Sequence, residues 1–177
     1  IDGFGKKIVE NFWNLKLIRL PQDIFNLSYD KIEKLEGWGK LSIINLKFSI
    51  DQKKKISLDR FIYSLGIRHI GQENAKLIAR HLKTIKNFSK LLNNKYIESL
   101  SSIDGIGITQ IKSIKNFFLN KTNLKVLSAL EKNLEIENTV LINDKGILKN
   151  KTFMLTGKLN GISRAEAKSL IEKNSGK

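Results

Sequence analysis

One short pattern, apolar-x-Gly-apolar-Gly, recurs along the chain and constrains its fold more than any other feature. It is unbroken at Ile1-Asp2-Gly3-Phe4-Gly5, Leu35-Glu36-Gly37-Trp38-Gly39 and Ile103-Asp104-Gly105-Ile106-Gly107. A fourth copy, Ile67-Arg68-His69-Ile70-Gly71, has His in place of the first glycine. The second glycines fall at positions 5, 39, 71 and 107, so the spacings are 34, 32 and 36 residues. A period of that size marks a repeated supersecondary unit.

What flanks each copy defines the unit. Four residues after the second glycine stand Val9, Ile43, Ala75 and Ile111, and seven residues after it stand Phe12, Leu46, Ile78 and Ile114. An apolar pair at that spacing is one face of a helix that starts at the glycine. Helical patterns also lead in. Leu58, Phe61, Ile62 and Leu65 approach the third copy, with Ser57 as candidate N-cap, and Tyr96, Ile97 and Leu100 approach the fourth. Ile32 and Leu35 approach the second, with Ser28 as candidate cap. The unit is therefore helix, tight glycine turn, helix, a helix-hairpin-helix repeated four times. The first copy lacks its leading helix, which suggests that the chain is a fragment.

Linking helices are expected between the units. Pro21 suits a first helical position, followed by Ile24, Phe25 and Leu27. Thr84 is a candidate cap for Ile85, Phe88, Leu91 and Leu92, and Asn123 for Leu124, Leu127, Leu130 and Leu134. The lysine run 53–55 is expected to be a solvated helix end.

This architecture suits phosphate. A helix N-terminus offers unpaired N–H groups and partial positive charge. Glycine permits left-handed backbone angles and lets a ligand approach without meeting a side chain. The combination is an anion nest, here formed by Gly3 and Gly5, Gly37 and Gly39, Gly71, and Gly105 and Gly107. Lys6, Lys7, Lys40 and Arg68 add attraction, and Thr109 adds a hydroxyl donor. His69 completes the third hairpin. That copy lacks one glycine and is the one least suited to contact phosphate. Phosphate contacts position a protein without reading bases, so the expected mode is grip without sequence preference.

Charge agrees. Lys and Arg number 32 against 17 Asp and Glu, a formal net charge of +15. That excess favours a polyanionic partner, with nucleic acid ahead of an anionic membrane surface. No apolar run is long enough to span a bilayer, and no secretory signal pattern opens the chain. Cysteine is absent, which excludes disulfides and Cys-ligated zinc within these residues.

Several residues admit a second reading. Asp2, Glu36 and Asp104 resemble catalytic acids, but their turn positions favour a role in the turn. His69 and His81 have no companion acidic or Cys cluster, so hairpin or surface roles are favoured over metal or proton chemistry. Phe4 and Trp38 are expected to pack under their hairpins rather than stack on bases. For Arg68, phosphate contact and simple exposure are equally balanced.

The pattern changes from Asn150. Lys151-Thr152-Phe153-Met154-Leu155-Thr156-Gly157 reads as a strand leaving at a turn. Ser163 then caps an amphipathic helix with Glu166 three residues on, a capping box, and Ala167, Leu170 and Ile171 form its inner face. The helix stops near Ser175-Gly176. One strand and one helix do not make a stable domain, so the chain is expected to end inside a second one. Residues 135–150, with Asn143, Asp144 and Gly146, read as the linker.

Together these segments resemble the C-terminal half of the bacterial NAD-dependent DNA ligases. Leu65-Gly66-Ile67-Arg68-His69-Ile70-Gly71 resembles the family's third hairpin, including the His. Leu35 to Gly39 with Ser42 and Asn45 resembles its second, and Ile1 to Gly5 is similar to the segment after its zinc finger. Thr152 to Gly157 with Ser163-Arg164-Ala165-Glu166-Ala167 resembles the start of its BRCT domain. The resemblance covers essentially the whole chain. It implies a mostly α fold: a tandem helix-hairpin-helix domain at 1–134, a linker at 135–150, and a truncated α/β BRCT domain at 151–177.

By the same resemblance, the parent seals nicks in duplex DNA during replication and repair, transferring AMP from NAD through a lysine. This chain has no Lys-x-Asp-Gly motif, so no catalytic, cofactor or metal residue carries over. NAD, magnesium and zinc are implied for the full-length parent alone. The implied partners are nicked duplex DNA and the missing catalytic half of the same chain, in a cytoplasmic, nucleoid-associated monomer without a membrane role. Thr156 and Gly157 match a turn that binds phosphate in some BRCT domains. The alternative is a non-catalytic repair or recombination scaffold with the same hairpins and a BRCT interaction module; an RNA- or ribosome-associated basic protein is a third reading.

Overall fold

The computed structural model describes residues 1–139, 146–149, 151–157, 161–162 and 164–176, which fall in two compact units, Ile1–Thr139 and Val140–Lys177. The first unit runs α1 (Lys6–Asn14), a 3-10 helix (Pro21–Asn26), α2 (Tyr29–Ile32), α3 (Lys40–Gln52), β1 (Lys55–Ser57) and α4 (Leu58–Ser64). It continues with α5 (Gln72–Leu82), α6 (Ile85–Ser89), α7 (Asn94–Glu98), α8 (Ile108–Leu119), α9 (Lys121–Asn133) and β2 (Glu135–Glu137), with short 3-10 turns after α6 and α7.

The helices that follow the four glycine turns are α1, α3, α5 and α8. Their seventh position beyond the second glycine, Phe12, Leu46, Ile78 or Ile114, is buried in every copy. The fourth position is not equivalent: Ala75 is fully buried, Ile43 and Ile111 are half-buried, and Val9 is exposed.

Two cores support these helices. The smaller is built from Phe12, Ile18, Leu27, Ile32, Leu46 and Ile50. The larger gathers residues from Leu58 to Leu130, with Phe61, Ile78, Phe88 and Ile114 at its centre. Phe25 packs against both. It rides on the 3-10 helix that begins at Pro21, where Asp23 accepts the Arg19 and Leu20 N–H groups at 2.8 Å each.

Several local expectations are corrected. The helix expected to open at Asn123 begins at Lys121, because Asn120 is its cap and accepts the N–H groups of Thr122 and Asn123. The Asn123 side chain instead donates to the Phe117 carbonyl. Lysines 53–55 do not form a simple helix end: Lys53 closes α3, while Lys55 opens β1. Residues 135–137, expected in the linker, pair in parallel with 55–57 in register Lys55↔Glu135 to Ser57↔Glu137. Thr139 then donates its N–H to the Lys83 carbonyl, so the first unit extends past 134. Lys55 meets Glu135 at 3.5 Å and Glu137 at 3.3 Å. The hydrogen bond to Glu137 and the neighbouring carboxylate charges hold its ammonium above the usual lysine range.

The second unit contains α10 (Arg164–Lys173). The expected strand at 151–157 is not formed; the described residues carry no ladder there, and a lone segment has no neighbour to pair with. Gly176 is buried where a Cβ would stand 3.1 Å from the Phe153 ring, which holds that segment near the end of α10. Ser163, Asn143 and Asp144 lie outside the described residues.

Candidate nucleic-acid interface

The four glycine turns have one backbone design. In each, the N–H of the fourth residue returns to the carbonyl of the first: Phe4 to Ile1, Trp38 to Leu35, Ile70 to Ile67 and Ile106 to Ile103, at 3.0–3.2 Å. The third residue has positive φ, at +72° for Gly3, +82° for Gly37 and +87° for Gly105. A turn with that requirement selects glycine there. His69 nevertheless adopts φ 63° at the same place. Its carbonyl accepts a hydrogen bond from the Asn74 amide at 3.1 Å, which helps hold a conformation that costs a side-chain-bearing residue energy. The third hairpin therefore keeps the geometry of the others despite the lost glycine.

The second glycine differs from the first. Gly5, Gly39, Gly71 and Gly107 have φ between −80° and −95° with fully extended ψ. Any residue adopts those angles. A Cβ added at Gly5, Gly39 or Gly71 would meet nothing within 4 Å, and at Gly107 only the Gln110 amide oxygen at 3.3 Å. Neither backbone strain nor internal packing asks for glycine, so left-handed freedom explains Gly3, Gly37 and Gly105 and not the second glycine of any hairpin.

Each second glycine is the N-cap of its helix, and no side chain caps α1, α3, α5 or α8 through it. By contrast, Thr84, Asn93 and Asn120 cap α6, α7 and α9 with their own oxygens. The hairpin helices thus present bare N–H groups and the positive end of their dipole to solvent. Gln110 is the partial exception, accepting the Gly107 N–H at 3.2 Å.

The side chains singled out from sequence lie at these sites. Lys6, Lys7, Lys40, Arg68, His69 and Thr109 are all exposed, as are the seven turn glycines. Lys6 has a loose, exposed pairing with Glu10 at 3.7 Å. Asp2, Glu36 and Asp104 occupy the second turn position, where the third hairpin has Arg68; none of the three acids makes a hydrogen bond or ion pair among the described residues. His69 precedes α5 and His81 lies in its last turn, at opposite ends of the helix. Among the described residues, no group of three or more potential metal ligands converges.

The apolar residue between the glycines packs inward. Ile70 and Ile106 are buried, while Phe4 and Trp38 both lie against Phe12, with ring centroids 5.7 and 5.4 Å apart. The hairpins also associate in pairs. A cavity of about 460 Å³ is lined by Asp2 and Gly3 of the first turn and by Gly37, Trp38 and the Ser42–Asn45–Ser49 side of α3. A smaller one of about 280 Å³ lies between Arg68 of the third turn and Ser113 and Asn116 of α8.

Sequence reasoning missed Asn74 and Gln110. Each follows its second glycine by three residues, and an amide at that position can reach back to the turn; that spacing was the available signal. In the second unit, Thr156 and Gly157 are exposed. Gly157 has φ +72°, and its carbonyl accepts Arg164 Nη2 at 2.8 Å.

Residues 60–127, which include the third and fourth hairpins, match the family model of the helix-hairpin-helix motif. Over its whole length the chain is 81% identical to a DNA ligase of Pelagibacter ubique, covering 26% of that protein. DNA ligases of Rickettsia bellii and Rickettsia prowazekii are each 40% identical over 98% of the chain and 27% of their own length. The chain therefore spans about a quarter of the DNA ligases it matches. No described helix is long and apolar enough to cross a membrane.

Proposed function

We propose that this chain is the DNA-binding clamp of a bacterial NAD-dependent DNA ligase, from its C-terminal half, and that all four glycine turns are helix-hairpin-helix motifs. The observation that carries this reading is the bare glycine N-cap repeated at four helices, at positions where the fold itself has no need of glycine. An external partner that must touch the backbone supplies the need. A phosphate oxygen fits: it accepts from unpaired N–H groups, gains from the helix dipole, and is excluded by a Cβ.

Each hairpin then holds one or two phosphates, with Lys6, Lys7, Lys40 and Arg68 adding charge and Thr109 a hydroxyl. In the third hairpin Arg68 stands where the others carry an acid. Reversing that charge strengthens attraction at the copy that sequence reasoning ranked lowest. The contacts carry no base information. The clamp would hold nicked duplex while the adenylation chemistry proceeds on the portion of the parent outside this chain. NAD, magnesium and zinc would be bound there too; this chain has no cysteine to offer zinc. Residues 151–177 are read as the beginning of a BRCT domain, with Thr156 and Gly157 at its phosphate-binding turn. The parent is read as a cytoplasmic, nucleoid-associated monomer.

Four hairpins at one or two phosphates each give a slope of log K against log salt of roughly −4 to −7, at about 0.9 per contact. Affinity should be equal for unrelated duplex sequences. The decisive variant is Gly39→Ser. Serine is a good N-cap and its oxygen takes the helix N–H groups itself, so stability should hold or rise while DNA affinity falls and the salt slope shallows by about one contact. A flat salt response, or a folded Gly39→Ser variant of full affinity, overturns the reading.

A further inference from the structure

The helix after the second hairpin is apolar on two opposite sides. Ile43, Leu46 and Ile50 of α3 face the smaller core. On the outward side, Leu41, Ile44 and Phe48 are 70%, 61% and 64% exposed. Their spacing of three and then four residues makes them one continuous stripe. A surface helix carries polar side chains opposite its core face; a helix apolar on both has protein on both sides.

We infer that the Leu41–Ile44–Phe48 stripe is the docking face for the portion of the ligase polypeptide that lies outside these 177 residues, an inference that rests on the ligase reading above. The relatives supply the occupant's size, because about three quarters of their length lies outside this segment.

The alternatives fit less well. DNA is disfavoured by geometry and charge. The stripe runs away from the phosphate-facing end of α3, with Phe48 about 13 Å along the axis from Gly39, and it contains no cation. Lys40 borders the stripe at its first turn, beside the glycine turn; further along, Lys47 turns over the Tyr29 ring, 5.9 Å from its centroid, and Asp51 is an acid. A second copy is disfavoured by area and by charge. The stripe exposes a few hundred Å², the size of a functional patch on a monomer, whereas a stable dimer buries about 800 Å² per partner. Two chains of charge +15 also repel. A segment of the same polypeptide needs no such area, because the covalent link holds it at millimolar effective concentration.

The test places the photo-crosslinking residue p-benzoylphenylalanine at Phe48 of the full-length ligase, irradiates it without DNA, and maps the product by mass spectrometry. The expected product is an intrachain crosslink to residues outside this segment. A crosslink joining two copies, a crosslink formed with DNA alone, or no crosslink overturns the inference. A second arm moves the probe to Leu41 and adds Ile44→Ser and Phe48→Ser; the crosslink should be lost, and its persistence overturns the inference. The salt titration of nicked-DNA binding, run on the same protein, separates the two claims: a flat response defeats the clamp reading, whereas a steep response without crosslink defeats only the docking face.

Discussion

The first and second hairpin pairs share a turn geometry but rest on different foundations. The pair at residues 1–52 stands on six buried residues, the pair from Leu58 onward on eighteen. Both pairs expose apolar side chains, Ile108 and Leu119 at the two ends of α8 among them, but the first pair exposes Leu41, Ile44 and Phe48 as one stripe on α3, while α5 of the second buries Ala75, Ile78, Ala79 and Leu82. The difference separates two sources of order. Turn geometry is local, set by a positive φ and one hydrogen bond. Helix burial depends on what packs behind the hairpin, and among the described residues the outward face of α3 stays exposed.

The largest expected effect tests whether the two cores are separate. Phe61→Ala should cost about 3–5 kcal/mol, the usual range for emptying a well-filled aromatic site, because Phe61 is fully buried in the larger core. Phe12→Ala should fall at or below the low end of that range. Its neighbour Trp38 lines the 460 Å³ cavity, so the smaller core has room to collapse. Native-state amide exchange on Phe12→Ala should accelerate across residues 1–52 and leave α5 and α8 protected. Equal acceleration in both regions would mean one cooperative core joined through Phe25, and the comparison would fail.

A smaller effect sharpens the claim that the turns are locally determined. Gly37→Ala places a Cβ at φ +82° and should destabilise by about 1 kcal/mol, while His69→Gly relieves the same strain and should stabilise by up to about 1 kcal/mol, less the added freedom of glycine in the unfolded chain. Chemical denaturation measures both. If His69→Gly lowers stability by more than Gly37→Ala, the imidazole or its Asn74 support contributes more than the turn itself.

Those contrasts also mark how far the sequence could be read. The four turns, the buried seventh position and the Thr84 cap were legible, because each depends on residues a few positions apart. So were the exposed glycines and cations of the candidate site. The β1–β2 pairing was not. It joins two three-residue strands eighty positions apart, and neither carries an alternating pattern long enough to announce itself. Asn120 and Asn123 both satisfy the rule for an N-cap, and only the packed structure chooses between them. The different roles of the two glycines in each hairpin were hidden as well, since the letter is the same whether it serves a positive φ or a bare N-cap. The Leu41–Ile44–Phe48 stripe was visible as helix, but its exposure emerged only when the core of the first pair was seen to occupy the other side.

The smallest effect concerns the strand clip that closes the second pair, for which the first has no counterpart among the described residues. Lys55 bridges Glu135 and Glu137 across the two strands, and its pKa is raised above the ordinary value of 10.5. A lysine whose folded pKa is raised contributes stability below its unfolded pKa and loses it as pH rises through the folded value. Glu137→Gln removes the carboxylate charge and leaves at most a neutral acceptor in place of the charge-assisted hydrogen bond that contributes most to that shift. Wild type should therefore melt slightly above the variant at neutral pH. The gap should close above pH 10.5, and it should also shrink in high salt because the pair is exposed. A gap that survives alkaline pH and salt alike would show that Glu137 acts through the backbone ladder rather than through Lys55, and that the second pair is closed by strand pairing alone.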